Sequence, residues 1–327
     1  MSKNIAVLMG GYSSEYEISI QSGTTVIHAL DPEKYTAYAV HILKDKWICL
    51  YEGEEFYMDM GEFRVLLPFG NVYFDACYNT IHGTPGEDGE IQAYLKTIGI
   101  PQTSCDFYQS ALTFNKRDTL SVLRPYGIPM AQSVYVNKGD AIDAAFAKAV
   151  KEKIDFPCFV KPNRAGSSFG ISKVYNEEGL APALEKAFLE DDEVLVEAFL
   201  SGTEVSVGVC VYQGGVKVLP VCEIVSENDF FDYEAKYKGK SQEIVPARLS
   251  DNQRDSVQSL TIAIYELLKL KGICRADFIF HNGTPHFVEI NSNPGLSPES
   301  IIPRQAKAAG IALSDLFASA IEAVLEE

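Results

Sequence analysis

The sequence predicts an α/β protein that opens as a doubly wound layer. Three observations carry this. Residues 4–9 are a short apolar run, followed by Gly10-Gly11-Tyr12-Ser13-Ser14-Glu15 and a helical apolar period over 17–30. Strand, glycine turn and helix in that order open a doubly wound domain. Two more strand-like runs, 35–43 and 71–79, precede another helical segment over 90–97. Near the other end, two alternating runs flank Asn282-Gly283, the strongest short-range hairpin signal.

A chain of 327 residues is long for one core, so two or three domains are expected. The apolar fraction, 46%, is ordinary for a globular enzyme, and the net charge is −17. No Lys/Arg cluster stands against that charge, which argues against nucleic acid and anionic membrane surfaces as partners. Seven scattered cysteines without a CxxC pair read as buried thiols in a reducing cytosol. The first residues turn polar too soon for a signal peptide, and no apolar run approaches a membrane span. A cytoplasmic location is the expectation.

In the first glycine turn GxGxxG is absent, so no dinucleotide is expected there. Glu15 puts a carboxylate where such loops more often receive phosphate. It suits a ligand's ammonium group, or simply the helix dipole. After residues 71–79 comes Thr80-Ile81-His82-Gly83-Thr84-Pro85-Gly86-Glu87-Asp88-Gly89. His82, flanked by glycines between strand and helix, is placed for a site. A domain boundary is expected near 101–106, and Lys116 then starts a helix.

Residues 156–174 read strand, loop, strand. Lys161 ends the first strand, and Gly166-Ser167-Ser168-Phe169-Gly170 forms a small-residue loop whose N–H groups could approach phosphate. This is formally GxSxG, but a nucleophile elbow at Ser168 needs a following helix, and 171–175 reads as strand. A helix over 180–189 and strands at 193–200 and 204–209 follow. Residues 230–246 are polar, aromatic and aperiodic, the pattern of a lid loop, with Lys236 and Tyr237 placed to close on a substrate. Helices are expected over 251–269 and 313–325.

The hairpin at 272–290 carries the chemistry. With a three-residue loop, 282–284, Asp277 lies opposite Glu289 and Arg275 opposite Asn291. All four then share one face, while Ala276, Phe278, Val288 and Ile290 fill the core face. Two carboxylates, an amide oxygen and a guanidinium are costly to assemble without a counter-ion. The oxygen set suits Mg²⁺, which commonly uses one or two carboxylates plus substrate phosphates. A charged, solvated hairpin face is the plainer alternative.

In order and spacing, GGYSSE (10–15), HGTPGEDG (82–89), NKRD (115–118), VKPNRAGSSFGISKV (160–174), VLVEAFL (194–200), DYEAKY (232–237), RADF (275–278) and EINSNPGL (289–296) with Ser300-Ile301 closely resemble the D-alanine–D-alanine ligases, ATP-grasp enzymes. The resemblance spans nearly the whole chain. It implies a Rossmann-like N-terminal domain (1–104), a central ATP-grasp domain (105–200) and a C-terminal one (201–327) with lid 230–246, α+β in the ATP-grasp part. It implies that ATP is a co-substrate, with Lys116, Lys161 and Lys236 on its phosphates and Ser167 and Ser168 above them. Glu197 and Ala198, Phe199 and Leu200 would meet adenine, and Glu204 the ribose. Asp277, Glu289 and Asn291 would hold two Mg²⁺, for which Mn²⁺ can substitute. Glu15, with Ser167 and Tyr237, would bind the first D-alanine's ammonium, and His82 would lie near its carboxylate. Ser300 and Ile301 would bind the second D-alanine, and Arg275 with the Gly295 N–H would stabilise oxyanions. A homodimer is implied. Where relatives often carry Tyr-Thr-Gly-Ser this chain has Gln102-Thr103-Ser104-Cys105, and Ala165 and Ala198 replace a common acid and lysine. A D-lactate or D-serine acceptor, or a nucleotide-binding protein without catalysis, are the competing readings.

Overall fold

The computed structural model describes residues 2–166, 169–226 and 241–326. Three sheets follow one another along the chain. The first opens with β1 (Lys3–Gly10), α1 (Tyr16–Ala29) and β2 (Tyr35–Ile42). An antiparallel meander of β3 (Trp47–Tyr51), β4 (Glu54–Asp59), β5 (Arg64–Leu67) and β6 (Gly70–Tyr73) extends it, and β7 (Ala76–Asn79) closes it. The strand order is β6-β5-β4-β3-β2-β1-β7, with β1 parallel to both neighbours.

The run at 71–79 is therefore two strands, not one. The chain breaks at Phe74-Asp75, and β6 and β7 lie at opposite edges of the sheet. Asp75 Oδ2 accepts from the Asn4 N–H, and Asp75 pairs with Lys3, which turns the chain across the start of β1. Charged and aromatic residues at alternate positions hid the meander, because only its inner face is buried.

The chain leaves β1 on one side to make β2 and returns on the other to make β7. Between β1 and β7 lies the topological switch point, and ligands sit beyond the C-terminal ends of strands there. Glu15 follows β1, and His82 follows β7. Gly11 turns the chain away at φ +91°, and a Cβ on it would meet Ile81 Cγ2 at 2.5 Å.

The second sheet has the order β10-β9-β11-β8, built from β8 (Ser133–Asn137), β9 (Cys158–Pro162), β10 (Ser172–Val174) and β11 (Glu193–Ala198). A strand, not a helix, follows the GxSxG match, so the nucleophile-elbow reading has no support. The third sheet is β15-β14-β12-β16-β17, from β12 (Gly202–Tyr212), β14 (Cys222–Ser226), β15 (Ser241–Ile244), β16 (Cys274–His281) and β17 (Thr284–Asn291), with β13 (Gly215–Val218) beside β12. Part of the expected lid, Ser241–Ile244, is thus a strand paired with β14 rather than loop.

Helices cover the sheets: α2 (Glu90–Thr97), α3 (Phe107–Phe114), α4 (Lys116–Leu123), α5 (Ala144–Lys153), α6 (Leu180–Ala187), α7 (Asp251–Leu267), α8 (Ile301–Ala308) and α9 (Leu313–Leu325). Ser250 and Gln253 form a capping box at the start of α7, worth about 1 kcal/mol. Leu316, Phe317 and Ile321 of α9 join Ile5, Val7 and Met9 of β1 in one buried cluster with Leu296 and Ile302. That seam fixes the loop after β17 against the switch point of the first sheet. All seven cysteines are free and buried.

Asp277 pairs with Glu289 and Arg275 with Asn291, as expected, but the loop is shorter. His281 pairs with Thr284, leaving Asn282-Gly283 as a two-residue turn at φ 50° and 80°. The register shifts between Asp277 and Phe278, so Phe278 faces Phe287 and Val288 is the extra residue of a bulge. Phe287 is buried in the core and Val288 is only half-buried. The expectation of Val288 on the core face is corrected: the bulge absorbs the residue that the tighter turn released. Phe287→Ala should therefore cost about 3–5 kcal/mol, and Val288→Ala under about 1 kcal/mol, by urea denaturation. Equal losses at both positions would contradict this register.

Candidate active site

Opposite strands bring four side chains of the hairpin to one face. The Arg275 guanidinium donates to both Asp277 oxygens, at 2.9 and 2.8 Å. Asp277 Oδ1 also accepts from Ser206 Oγ of β12 at 2.6 Å, and Oδ2 from Asn291 Nδ2 at 3.3 Å. Glu289 meets Lys116 Nζ at 3.2 Å. Lys116 arrives from another element, because Asn115 caps α4 and aims its first side chain at β17. Its Nζ also donates to Ala165 O at 3.0 Å, tying the chain at Ala165 to the hairpin.

Lys161 of β9 is buried and paired with Glu197 of β11. Burial opposes its charge, but Glu197, Glu289 and Glu204 more than offset this and hold the ammonium above its ordinary range. Two lysines from two helical and strand elements thus flank the acidic face. Beyond Glu197, the Ala198 N–H already donates to Gln132 O and the Phe199 N–H to Pro157 O. The Phe199 ring lies beside Phe159, with Lys173 Nζ 4.2 Å from its centroid. Lys173 was not singled out from sequence, since a lone lysine on a short strand carries no signal.

A cavity of about 390 Å³ adjoins this face, lined among others by Glu15, His82, Arg275, Gly295, Ser300 and Ile301. The sequence-predicted substrate residues thus come together from the first and third sheets. Glu15 sits at the N-terminus of α1, and a Cβ on Gly166 would lie 2.5 Å from Glu15 Oε2. A side chain at 166 would push the Glu15 carboxylate aside. His82 Nε2 shares a 3.2 Å hydrogen bond with Ser22 Oγ, which in turn accepts from the Leu296 N–H at 3.1 Å. Asn293 Nδ2 donates to Ile81 O at 2.8 Å. These bonds lock the loop after β17 onto the loop after β7. Burial holds the His82 imidazolium pKa below its usual range, although Glu15 opposes the shift.

The oxygens of Asp277, Glu289 and Asn291 form a hard donor set suited to Mg²⁺. Among the described residues no group of three His, Cys, Asp or Glu side chains could hold a metal ion. Two carboxylates and an amide are too few for an all-protein cage but fit an ion that keeps substrate phosphate as ligand. Arg275 and Lys116 supply positive charge to that face. Ser167, Ser168, Lys236 and Tyr237 lie outside the described residues. Glu204, on β12, pairs in register with Ile279 and Ile224.

Sequence reasoning passed over Glu87, although it stands in the same glycine-rich segment as His82. Its Oε2 accepts from the Gly83 N–H at 2.8 Å, and it lines both the cavity and the space beside Lys116. Burial first, and then Glu15, push its carboxyl up to about 8. The folded chain therefore keeps a proton that the unfolded chain releases in the ordinary carboxylate range. The resulting stability is full below that range and is lost as pH rises towards 8. Glu87→Gln keeps the acceptor for Gly83 and removes the titration. Relative to the parent, it should be more stable above pH 8 than near pH 5 in urea titrations; parallel pH profiles would place the carboxylate in its ionised form.

The profile of the "D-ala D-ala ligase C-terminus" matches residues 122–322, and that of the "D-ala D-ala ligase N-terminus" matches 4–65. The chain is 57% identical over 321 residues to the D-alanine–D-alanine ligase of Flavobacterium johnsoniae, covering 98% of each chain. It superposes on the VanG D-Ala:D-Ser ligase of Enterococcus faecalis with TM-score 0.86 at 30% identity, over 98% of this chain and 99% of the other. On the ATP complex of the Bacillus anthracis D-alanine–D-alanine ligase the TM-score is 0.79 at 27% identity, over 99% and 98%. The hairpin face, the flanking lysines and the cavity lie within a chain that belongs to the D-alanine–D-alanine ligase family.

Proposed function

We propose that this chain joins two D-alanine molecules at the expense of ATP, through an acyl phosphate, to supply peptidoglycan precursor synthesis. The observation that carries it is the meeting of Asp277, Glu289 and Asn291 with Lys116 and Lys161, beside a cavity that holds Glu15 and His82 at one end.

Charge dictates the mechanism. A carboxylate must attack the γ-phosphate of ATP, and both are anions. Lys116 and Lys161 offset that repulsion, with Lys236 in the role the resemblance implies. Asp277, Glu289 and Asn291 would hold Mg²⁺, which would supply positive charge against the phosphates. Glu197, the 198–200 backbone and Glu204 take the adenosine end. Glu15 holds the ammonium of the first D-alanine, and neutral His82 lies near its carboxylate. Ser300 and the Ile301 N–H take the second D-alanine's carboxylate. Arg275 and the Gly295 N–H donate to the oxyanion formed when the second amine attacks, a contribution of roughly 3–4 kcal/mol per donor elsewhere. In the roles the resemblance implies, Ser167, Ser168 and Tyr237 complete the set and the 230–246 segment is the lid against water.

The same reading divides the chain near 104 and 200, a division supported by the three successive sheets. It places the reaction in the cytosol, supported by seven free, buried cysteines. Among the described residues no single helix is long and apolar enough to cross a membrane. It makes the protein a homodimer, for which exposed Tyr57, Leu66 and Tyr73 offer apolar surface.

Incubation with ATP, Mg²⁺ and D-alanine should release phosphate and D-alanyl-D-alanine in equal amounts. Release of phosphate without D-alanine dependence would defeat the proposal. Better turnover with D-serine or D-lactate as second substrate would change only the acceptor. Asp277→Asn should lower kcat/KM about 10²–10³-fold with the fold intact by circular dichroism; unchanged turnover would remove Asp277 from the metal set.

A further inference from the structure

At the acceptor end of the cavity stands a carboxylate that the reaction described above does not use. Glu243 of β15 lines the cavity together with Arg275, Glu299, Ser300 and Ile301. Its side chain is 16% exposed, and it is held from two directions by one residue of α8. Arg304 Nη1 donates to Glu243 Oε2 at 2.8 Å and Nη2 to the Glu243 backbone oxygen at 2.6 Å. Only one turn separates Arg304 from Ser300 and Ile301, so the clamp and the acceptor-binding groups ride on the same helix.

Burying a carboxylate is costly unless it is paired. Arg304 covers one side of it, and the other side faces the cavity. An acceptor amino acid brings two charges to this place. Its carboxylate goes to Ser300 and the Ile301 N–H, and its amino group must reach the side where Arg275 awaits the oxyanion. A 2-hydroxy acid brings the same carboxylate without the amino group.

We propose that Glu243, oriented by Arg304, is a specificity-determining residue that selects acceptors bearing an amino group over the corresponding 2-hydroxy acids. The inference rests on the ligase reading. The Glu243 carboxylate, already paired with Arg304, complements the positive charge with which an amino acid arrives. The hydroxyl of a 2-hydroxy acid can donate to the same oxygen but brings no positive charge, so the ligand's carboxylate meets a second acid without compensation from the ligand itself. The discrimination is therefore that between a charged and a neutral hydrogen bond. Residues 227–240 precede this strand directly, so the choice of acceptor is made where the chain re-enters the third sheet.

The test compares parent, Glu243→Gln and Glu243→Asp with ATP, Mg²⁺, D-alanine as donor, and D-alanine or D-lactate as acceptor. Gln keeps an oxygen for Arg304 but removes the charge; Asp keeps the charge. The ratio of kcat/KM for amine over hydroxy-acid acceptor should fall about tenfold in Glu243→Gln, the size expected for a lost charged hydrogen bond, and recover in Glu243→Asp. The donor-site KM for D-alanine should not move in either. An unchanged ratio in Glu243→Gln overturns the inference, as does an equal loss with both acceptors, which is the mark of a structural role. If Glu243→Gln fails to fold, Arg304→Gln reads the same ratio, which should again fall as the carboxylate loses its orientation; no change there counts against the proposal. Failure of the parent to form dipeptide would instead bring down the ligase reading itself.

Discussion

Two carboxylates on one face of a hairpin repel each other, and this chain is organised around neutralising them. Asp277 is satisfied locally, by Arg275 on its own strand, Ser206 on the next and Asn291 across the turn. Glu289 depends on Lys116, which starts a helix 173 positions earlier in the sequence order 116 to 289. Lys161, buried against Glu197, adds to the field from the second sheet. No one sheet could hold so many like charges at low exposure. Built from three layers, the site gives Asp277, Glu289 and Glu197 each a cation.

The same arrangement explains why the cavity is a place for coupling anions. In the proposed reaction, positive charge stands where phosphate would arrive, and negative charge stands at Glu15, where an ammonium would be held. Protein walls of low polarisability make both fields stronger than they would be in water. The hydrogen bonds from Ser22, His82, Leu296 and Asn293 join the first sheet to the loop after β17. They fix the first sheet and the hairpin of the third relative to one another, which is the positional control that ligation demands.

Local devices serve this frame. The two-residue turn at Asn282-Gly283 would by itself move Glu289 out of line with Asp277. The bulge at Val288 restores the pairing on the functional side and hands the core position to Phe287. Gly166 lets a loop of the second sheet come against Glu15. In each case a turn, a bulge or a missing side chain stands where the charge geometry needs it.

Much of this was legible in the order of residues. The opening strand, glycine turn and helix, the hairpin, the pairing of Asp277 with Glu289 and of Arg275 with Asn291, and the buried cysteines all follow from period, turn chemistry and composition. The meander of β3 to β6 was not legible, because its strands bury a single face and end in polar turns. Nor was the bulge, since a turn of two residues and one of three differ only by where the core places an aromatic ring. Glu87, Lys173 and Glu243 escaped because each draws its meaning from partners far away in sequence. Periodicity and turn residues act over a few positions, so sequence determined the elements and the chemistry offered by each. Which charges meet, which proton is kept and which carboxylate faces the cavity depend on packing between layers, and only the tertiary structure decided them.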